Sequence, residues 1–385
     1  MGTMGRMSGL GRRMVMALAG GAILTGGGLV LPAAAQTPST ATLNWIPATE
    51  LRLEGRGWSD TATTYHRLPA RARDQVTSSV WTLAAHTSGL VLRFVTDSPT
   101  IAAQWDGGEP MNHMAATGSH GLDLYSRPWT EGSGAQAKPG RAGSGAQAEK
   151  QAWRYVATGR PKAGFTTAVL VRDQKREARE YLLYLPTYGR VTSVSLGLAA
   201  GSMVKAGPAR PEGEGPLVFY GTSITQGGCA SRSGMGHTAI LGRWLDREVI
   251  NLGFSGSGKS EPGMIRLVAE LKGAVFVLEP LPNMTTEQVR ERMGPALEEI
   301  RRHHPKAPVL LVSNPLLSDD HPQNVALRQV FEAKRKGDRA LVLLPSKGQL
   351  DGRENGTVDG VHPTDLGFLR MAEAYEPVLR RLLKR

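Results

Sequence analysis

A hydroxyl, a glycine-rich turn, a carboxamide and an Asp/His pair stand beyond successive apolar runs in the second half of this 385-residue chain. The run at 217–220 leads into Gly221-Thr222-Ser223-Ile224-Thr225-Gln226-Gly227-Gly228, where glycine permits a tight exit and Ser223 heads the next segment. Backbone amides at such a position are free to meet an incoming anion. The run at 249–252 leads into the turn 253–258, whose Gly256 can present a further amide. After 275–278 comes Leu281-Pro282-Asn283-Met284, which offers a carboxamide. After 341–344 comes Asp359-Gly360-Val361-His362-Pro363, a carboxylate three residues before an imidazole, with Pro363 suited to the first turn of the last helix. Acyl transfer needs this set: a base for the serine, an acid to orient and charge-stabilise the base, and donors aimed at the developing oxyanion.

These residues can meet only if the chain between them builds a common rim. Apolar runs at 217–220, 249–252, 275–278, 309–312 and 341–344 alternate with amphipathic segments, among them 285–304 with Val289, Met293, Leu297 and Ile300 at helical spacing. Strict alternation of strand and helix means a parallel sheet covered on both faces, which binds ligands beyond the carboxyl ends of its strands. Upstream, from 42 to 200, the pattern favours short strands such as those around Leu90, Leu92 and Phe94 and at 181–185, punctuated by turns. That predicts a β-sandwich or jelly roll. Within it, 132–148 carries the hexamer GSGAQA twice and reads as a flexible loop. The Gly, Pro and Glu-rich stretch 201–216 reads as a linker to a second domain, 217–385.

Residues 1–35 read as a signal peptide: Arg6, Arg12 and Arg13 precede an apolar run at 14–31, then Ala33-Ala34-Ala35, with cleavage expected before Gln36. A retained anchor is the competing reading. The expected location is outside the cytoplasm, periplasmic or secreted, with no stable membrane insertion after cleavage. Cys229 is the only cysteine, so no internal disulfide can form and packing must supply stability. The net charge of +12 reads first as a solvated basic surface and second as an attraction for polyanions such as acidic glycans or an anionic envelope, and no aromatic-interleaved basic stripe points to nucleic acid.

The segment 218–379 resembles the SGNH (GDSL-type) hydrolase superfamily. Gly221-Thr222-Ser223-Ile224, Asn251-Leu252-Gly253-Phe254-Ser255-Gly256, Leu281-Pro282-Asn283-Met284 and Asp359-Gly360-Val361-His362 match its four blocks in order. The resemblance implies a flavodoxin-like α/β hydrolase domain in which Ser223 is the nucleophile, His362 its base and Asp359 the partner of the base. It makes the amides of Ser223 and Gly256 and the side chain of Asn283 the oxyanion donors. Two residues depart from the pattern: Thr222 replaces the usual aspartate, and Asn283 lacks its usual neighbouring Gly and Asp. With a β-rich domain ahead of the hydrolase, the chain is similar to bacterial two-domain esterases, some of which deacetylate carbohydrate. The expected function is therefore an exported serine esterase acting on short acyl, above all acetyl, esters of a small molecule or polysaccharide. It needs no metal and no organic cofactor.

Rival readings attach to particular residues. Cys229, six positions from Ser223, is an alternative nucleophile with no base beside it in sequence. The string at 253–260 satisfies the phosphate-loop pattern G-x-x-x-x-G-K-[ST], with Glu279 ending the next apolar run. That nucleotide-binding reading leaves Ser223 and the Asp359/His362 pair unexplained. A glycan-binding protein with a relic hydrolase domain is the other alternative. His237 is read either as lining the pocket or as a surface cap. His66, His86, His113 and His120 show no metal-ligand spacing.

Overall fold

The computed structural model describes residues 43–109, 111–129, 152–350 and 353–384. The expected signal peptide and the loop 132–148 lie outside these residues.

Among the described residues of the first half, ten strands form: β1 (Leu43–Pro47), β2 (Arg52–Glu54), β3 (Val91–Thr96), β4 (Ile101–Asp106), β5 (Leu122–Pro128), β6 (Arg154–Gly159), β7 (Phe165–Val171), β8 (Arg179–Tyr184), β9 (Val194–Ala199) and β10 (Val204–Ala206). They pair into two antiparallel sheets, β1-β9-β4-β7 and β10-β3-β8-β5-β6 with β2 added beside β3. The period-two pattern of each strand decides which side chains turn inward. Leu92 and Phe94 of β3, Ile101, Ala103 and Trp105 of β4 and Leu196 and Leu198 of β9 all enter one shared core, as a β-sandwich requires.

One stretch departs from the strand-rich expectation. Residues 70–84 form a 3-10 turn, Ala70–Asp74, and a helix, Ser78–Ala84, capped by Thr77, whose side chain accepts from the Val80 amide. The cap and the i, i+4 spacing of Val80 and Ala84 explain the helix. Trp58, Leu68, Ala72, Val80 and Ala84 pack against the second half of the chain instead of the sandwich.

That second half is a five-stranded parallel sheet: β11 (Leu217–Gly221), β12 (Val249–Gly253), β13 (Val275–Glu279), β14 (Val309–Val312) and β15 (Leu341–Leu344), in the order β12-β11-β13-β14-β15. Its strands are apolar on both sides because helices cover both faces. Val218, Tyr220 and Leu278 join one core with Met293, Leu297 and Ile300 of the helix Thr286–His303. Leu217, Phe219 and Val277 join the other with Phe368, Met371 and Tyr375 of the helix Asp365–Leu382. Chain order reverses at β11, so the crevice for ligands opens beyond its carboxyl end. Pro363 precedes the N-cap, Thr364, and lies outside the final helix, because the Thr364 side chain accepts from the Gly367 amide and sets the start there.

A closed ring of charges joins the two halves. Arg93 bonds Glu180 (2.5 Å) and Glu54 (3.0 Å), Glu54 bonds Arg210 (2.9 Å), Arg210 bonds Asp246 (3.1 Å), Asp246 bonds Arg127 (2.9 Å), and Arg127 returns to Glu180 (2.7 Å). Burial would raise the Glu54 and Asp246 carboxyls, but the surrounding guanidinium groups hold both below their ordinary values. Charges this poorly solvated are costly unless paired, and here each one is, so the ring bonds the sandwich to the α/β layer.

Candidate active site

The turn after β11 is bent by its own side chains. Thr222 caps the short helix Ser223–Gln226: its hydroxyl accepts from the Ile224 amide (3.2 Å), while its own amide donates to the Thr225 hydroxyl (2.9 Å). Threonine thus satisfies the helix start where an aspartate would otherwise do so. Gly253, ending β12, lets the two turns touch, since a Cβ there would lie 2.3 Å from the Gln226 amide nitrogen. Gly228 does the same beside His362: a Cβ would stand 3.0 Å from His362 Cδ2 and 3.0 Å from the Tyr188 hydroxyl.

Ser223 Oγ lies 3.0 Å from His362 Nε2, and His362 Nδ1 lies 2.7 Å from Asp359 Oδ2. Segments 139 positions apart are therefore joined in one line of hydrogen bonds, from hydroxyl to imidazole to carboxylate. Asp359 Oδ1 accepts from the amides of Val361 (3.0 Å) and His362 (2.8 Å). Burial acts to raise this carboxyl, but those amides and the imidazole outweigh it and hold it at about 2. It is therefore ionised across the neutral range and favours the imidazole tautomer with the proton on Nδ1. The free lone pair on Nε2 then faces the serine.

Among the described residues, the amides of Ser223 and Gly256 donate to no protein group. Gly256 sits at φ +65°, a left-handed conformation open to glycine at low cost. Asn283 arrives from the 3-10 turn after β13, but its amide nitrogen is already engaged with the carbonyls of Phe254 (3.2 Å) and Gly258 (3.3 Å). Both contacts are long, and both brace the turn that carries Gly256. Thr285, not Asn283, caps the next helix. A hydroxyl bonded to an imidazole, an imidazole bonded to a carboxylate and two unengaged amides can together perform acyl transfer.

Other sequence readings meet a different environment. His237 is fully buried, with Nε2 3.1 Å from Glu279, which also accepts from the Tyr375 hydroxyl (2.7 Å). It neither lines the crevice nor caps a surface helix. Glu279 is thereby committed, and within 253–260 the amides of Ser257 and Gly258 turn back to the Phe254 carbonyl. That turn is no open cradle for phosphate.

Two residues that carry the site left no signal in the sequence reading. Gln226 is fully buried; its Oε1 accepts from the Ser255 amide (3.1 Å) and its Nε2 donates to the Thr187 carbonyl (3.1 Å) and to His86 Nδ1 (3.0 Å). Burial, then the nearby Arg67, Arg190 and His120, pushes His86 down to about 3, so it is neutral and accepts. Arg67 is almost completely buried and donates to four carbonyls, Leu83, His86, Asn251 and Gly253, with its guanidinium over the Phe254 ring. Both come into contact with the second turn only through tertiary packing.

Comparison with known proteins agrees with this geometry. Residues 214–380 match the GDSL-like lipase/acylhydrolase family, and residues 43–137 and 145–204 match the N-terminus of SGNH hydrolase-type esterases. A structure from Bacteroides ovatus ATCC 8483, described as a GDSL-like lipase, is 29% identical with a TM-score of 0.77, over 89% of this chain and 98% of that one. A salicylyl-acyltransferase from a tetracycline biosynthetic pathway aligns over 89% of this chain and 98% of its own, with 19% identity and a TM-score of 0.67. A family two carbohydrate esterase from Clostridium thermocellum, solved with cellohexaose, aligns over 77% and 93%, with 17% identity and a TM-score of 0.53. The last two, at such identity, speak to fold alone. A search of curated proteins found no match.

Proposed function

We propose that this chain, whose residues 214–380 match the GDSL-like lipase/acylhydrolase family, is an ester hydrolase that removes short acyl groups, acetyl above all, from a carbohydrate outside the cytoplasm. The observation that carries the chemistry is the unbroken line Ser223 Oγ, His362 Nε2, His362 Nδ1, Asp359 Oδ2. In this reading His362 takes the serine proton as Oγ attacks the acyl carbon, and the carbonyl oxygen becomes an oxyanion between the Ser223 and Gly256 amides. Asn283 supplies the third donor by exchanging one of its two long backbone contacts. Collapse of the intermediate expels the alcohol, which leaves with the proton held on the imidazole, and water then cleaves the acyl-serine by the same route. Each oxyanion donor contributes about 3–4 kcal/mol to lowering the barrier.

A carbohydrate alcohol is supported by the openness of the base side. The Asp359 side chain is 43% exposed and His362 19%, and the exposed Val358 and Val361 flank them, so a large leaving group meets no wall there. The relative solved with cellohexaose shares the fold, which accords with that choice. Export rests on the reading of residues 1–35; among the described residues no helix is long and apolar enough to cross a membrane. The test is a panel of nitrophenyl esters of increasing chain length beside acetylated polysaccharides. Highest kcat/KM on acetate, with acetate released from polysaccharide, is the expected result; preference for long acyl chains, or no release from any glycan, overturns the proposal.

A further inference from the structure

Cys229 is a side chain beside the site that the esterase chemistry leaves unused. It lies at the end of the nucleophile turn, 9% exposed, with φ +69°, its thiol directed at the His113 carbonyl (3.8 Å). Its sulfur, a nitrogen of His362 and a carboxylate oxygen of Asp359 all lie within 4.8 Å of one another. No other group of three such ligands occurs among the described residues. A nucleophilic role for the thiol is disfavoured, since burial first and the Asp359 charge second both push it away from the thiolate. A cation reverses that logic, because a bound metal stabilises the thiolate directly.

From this cluster we infer that Cys229, His362 and Asp359 form an inhibitory site for a thiophilic divalent cation of the zinc type. The inference rests on the esterase reading only for its consequence, inhibition. Sulfur, imidazole and carboxylate are the ligand types zinc selects, and tetrahedral zinc at about 2.0–2.3 Å sets its ligands about 3.3–3.8 Å apart. The present separations need a modest contraction, and two of the three ligands stand on an exposed loop. The thiol loses its proton on binding, and the fourth position is left for water or the Ser223 hydroxyl. Either imidazole nitrogen gives the same outcome. A cation on Nε2 occupies the lone pair that should receive the serine proton, and one on Nδ1 displaces Asp359 from its hydrogen bond. The site therefore opposes catalysis and is no cofactor site.

Two measurements on the full chain test this. Zinc chloride should inhibit ester hydrolysis reversibly, with activity restored by chelator, and Cys229→Ser should keep its basal activity yet need roughly tenfold or more zinc for the same inhibition. Cobalt chloride, used as a spectroscopic probe, should give a thiolate-to-cobalt charge-transfer band in the native chain that Cys229→Ser lacks. Should serine unfold the turn, Cys229→Gly suits its left-handed backbone and serves in its place. Equal zinc sensitivity in native and variant chains, or a native chain without the cobalt band, overturns the proposal. Because the band is read without substrate, its absence is distinguishable from a failure of the esterase reading, which would show as no ester turnover in metal-free protein.

Discussion

Ser223 sits in a buried turn, and the turn bearing the exposed Gly256 is bonded to both halves of the molecule, whereas Asp359 and His362 sit on an exposed loop that folds on itself. On the first side, Gln226 ties the Ser255 amide to Thr187 and His86 of the sandwich half, Ser88 donates to the Gln226 carbonyl (2.6 Å), and Arg67 holds the end of β12 by two carbonyls. On the second, the Gly360 amide donates to Thr357, the Val358 amide to the His362 carbonyl, and Asp359 accepts from residues two and three positions ahead. One half of the site is positioned by tertiary structure and the other by its own short sequence. The sandwich is therefore part of what shapes the turn that bears Gly256, while His362 arrives on a self-organised loop.

If that division is right, loss of the reacting groups should be severe on both sides. Ser223→Ala and His362→Ala should each lower kcat by about 10³-fold or more with unchanged thermal unfolding, and the double variant should be no worse than either single one. Additive losses would break the idea that they act as one unit. Next in size is a stability effect confined to the tertiary side. Arg67→Met strands four buried carbonyls and should cost about 3 kcal/mol of unfolding free energy, measured by denaturant titration. A neutral result would show that the sandwich only abuts the turn.

The base side should respond more mildly. Asp359→Asn should reduce kcat by about 10²-fold, toward the low end for such a partner because water reaches the exposed carboxylate, and should barely move the unfolding temperature. A loss as large as that of His362→Ala would mean that the loop depends on Asp359 for its fold. The smallest effect is on pH. With Asp359 held at about 2, its carboxylate is present above the ordinary carboxyl range and is lost only as pH falls toward that value. The acid limb of kcat/KM should therefore carry no contribution from Asp359 until pH nears that value, and a limb steeper than one proton above it would contradict the assignment.

The same division explains what could be read from the sequence. Asp359-Gly360-Val361-His362 was legible because its geometry is local: a left-handed glycine at φ +83° and two backbone amides fold the carboxylate onto the imidazole. The five parallel strands were legible because continuous apolar runs with helical segments between them admit few other arrangements. The helix Ser78–Ala84 was lost inside a strand-rich stretch, since its seven residues are too short to show a clear period. Gln226 and Arg67 were invisible for a different reason: their partners lie 16 to 186 positions away, and neither residue type announces a carbonyl or amide it has yet to meet. Asn283 was legible as a donor, but its engagement with Phe254 and Gly258 follows from the fold of the neighbouring turn.

The central claim is that the hydroxyl of Ser223, not the nearby thiol, receives the acyl group. Acid-quenching the enzyme during the first turnover of nitrophenyl acetate, then mapping its peptides by mass spectrometry, reads this directly. The account predicts an acetyl group on Ser223 that is absent from Ser223→Ala; an acetyl group on Cys229, or turnover with no acetylated peptide at any time, would contradict it.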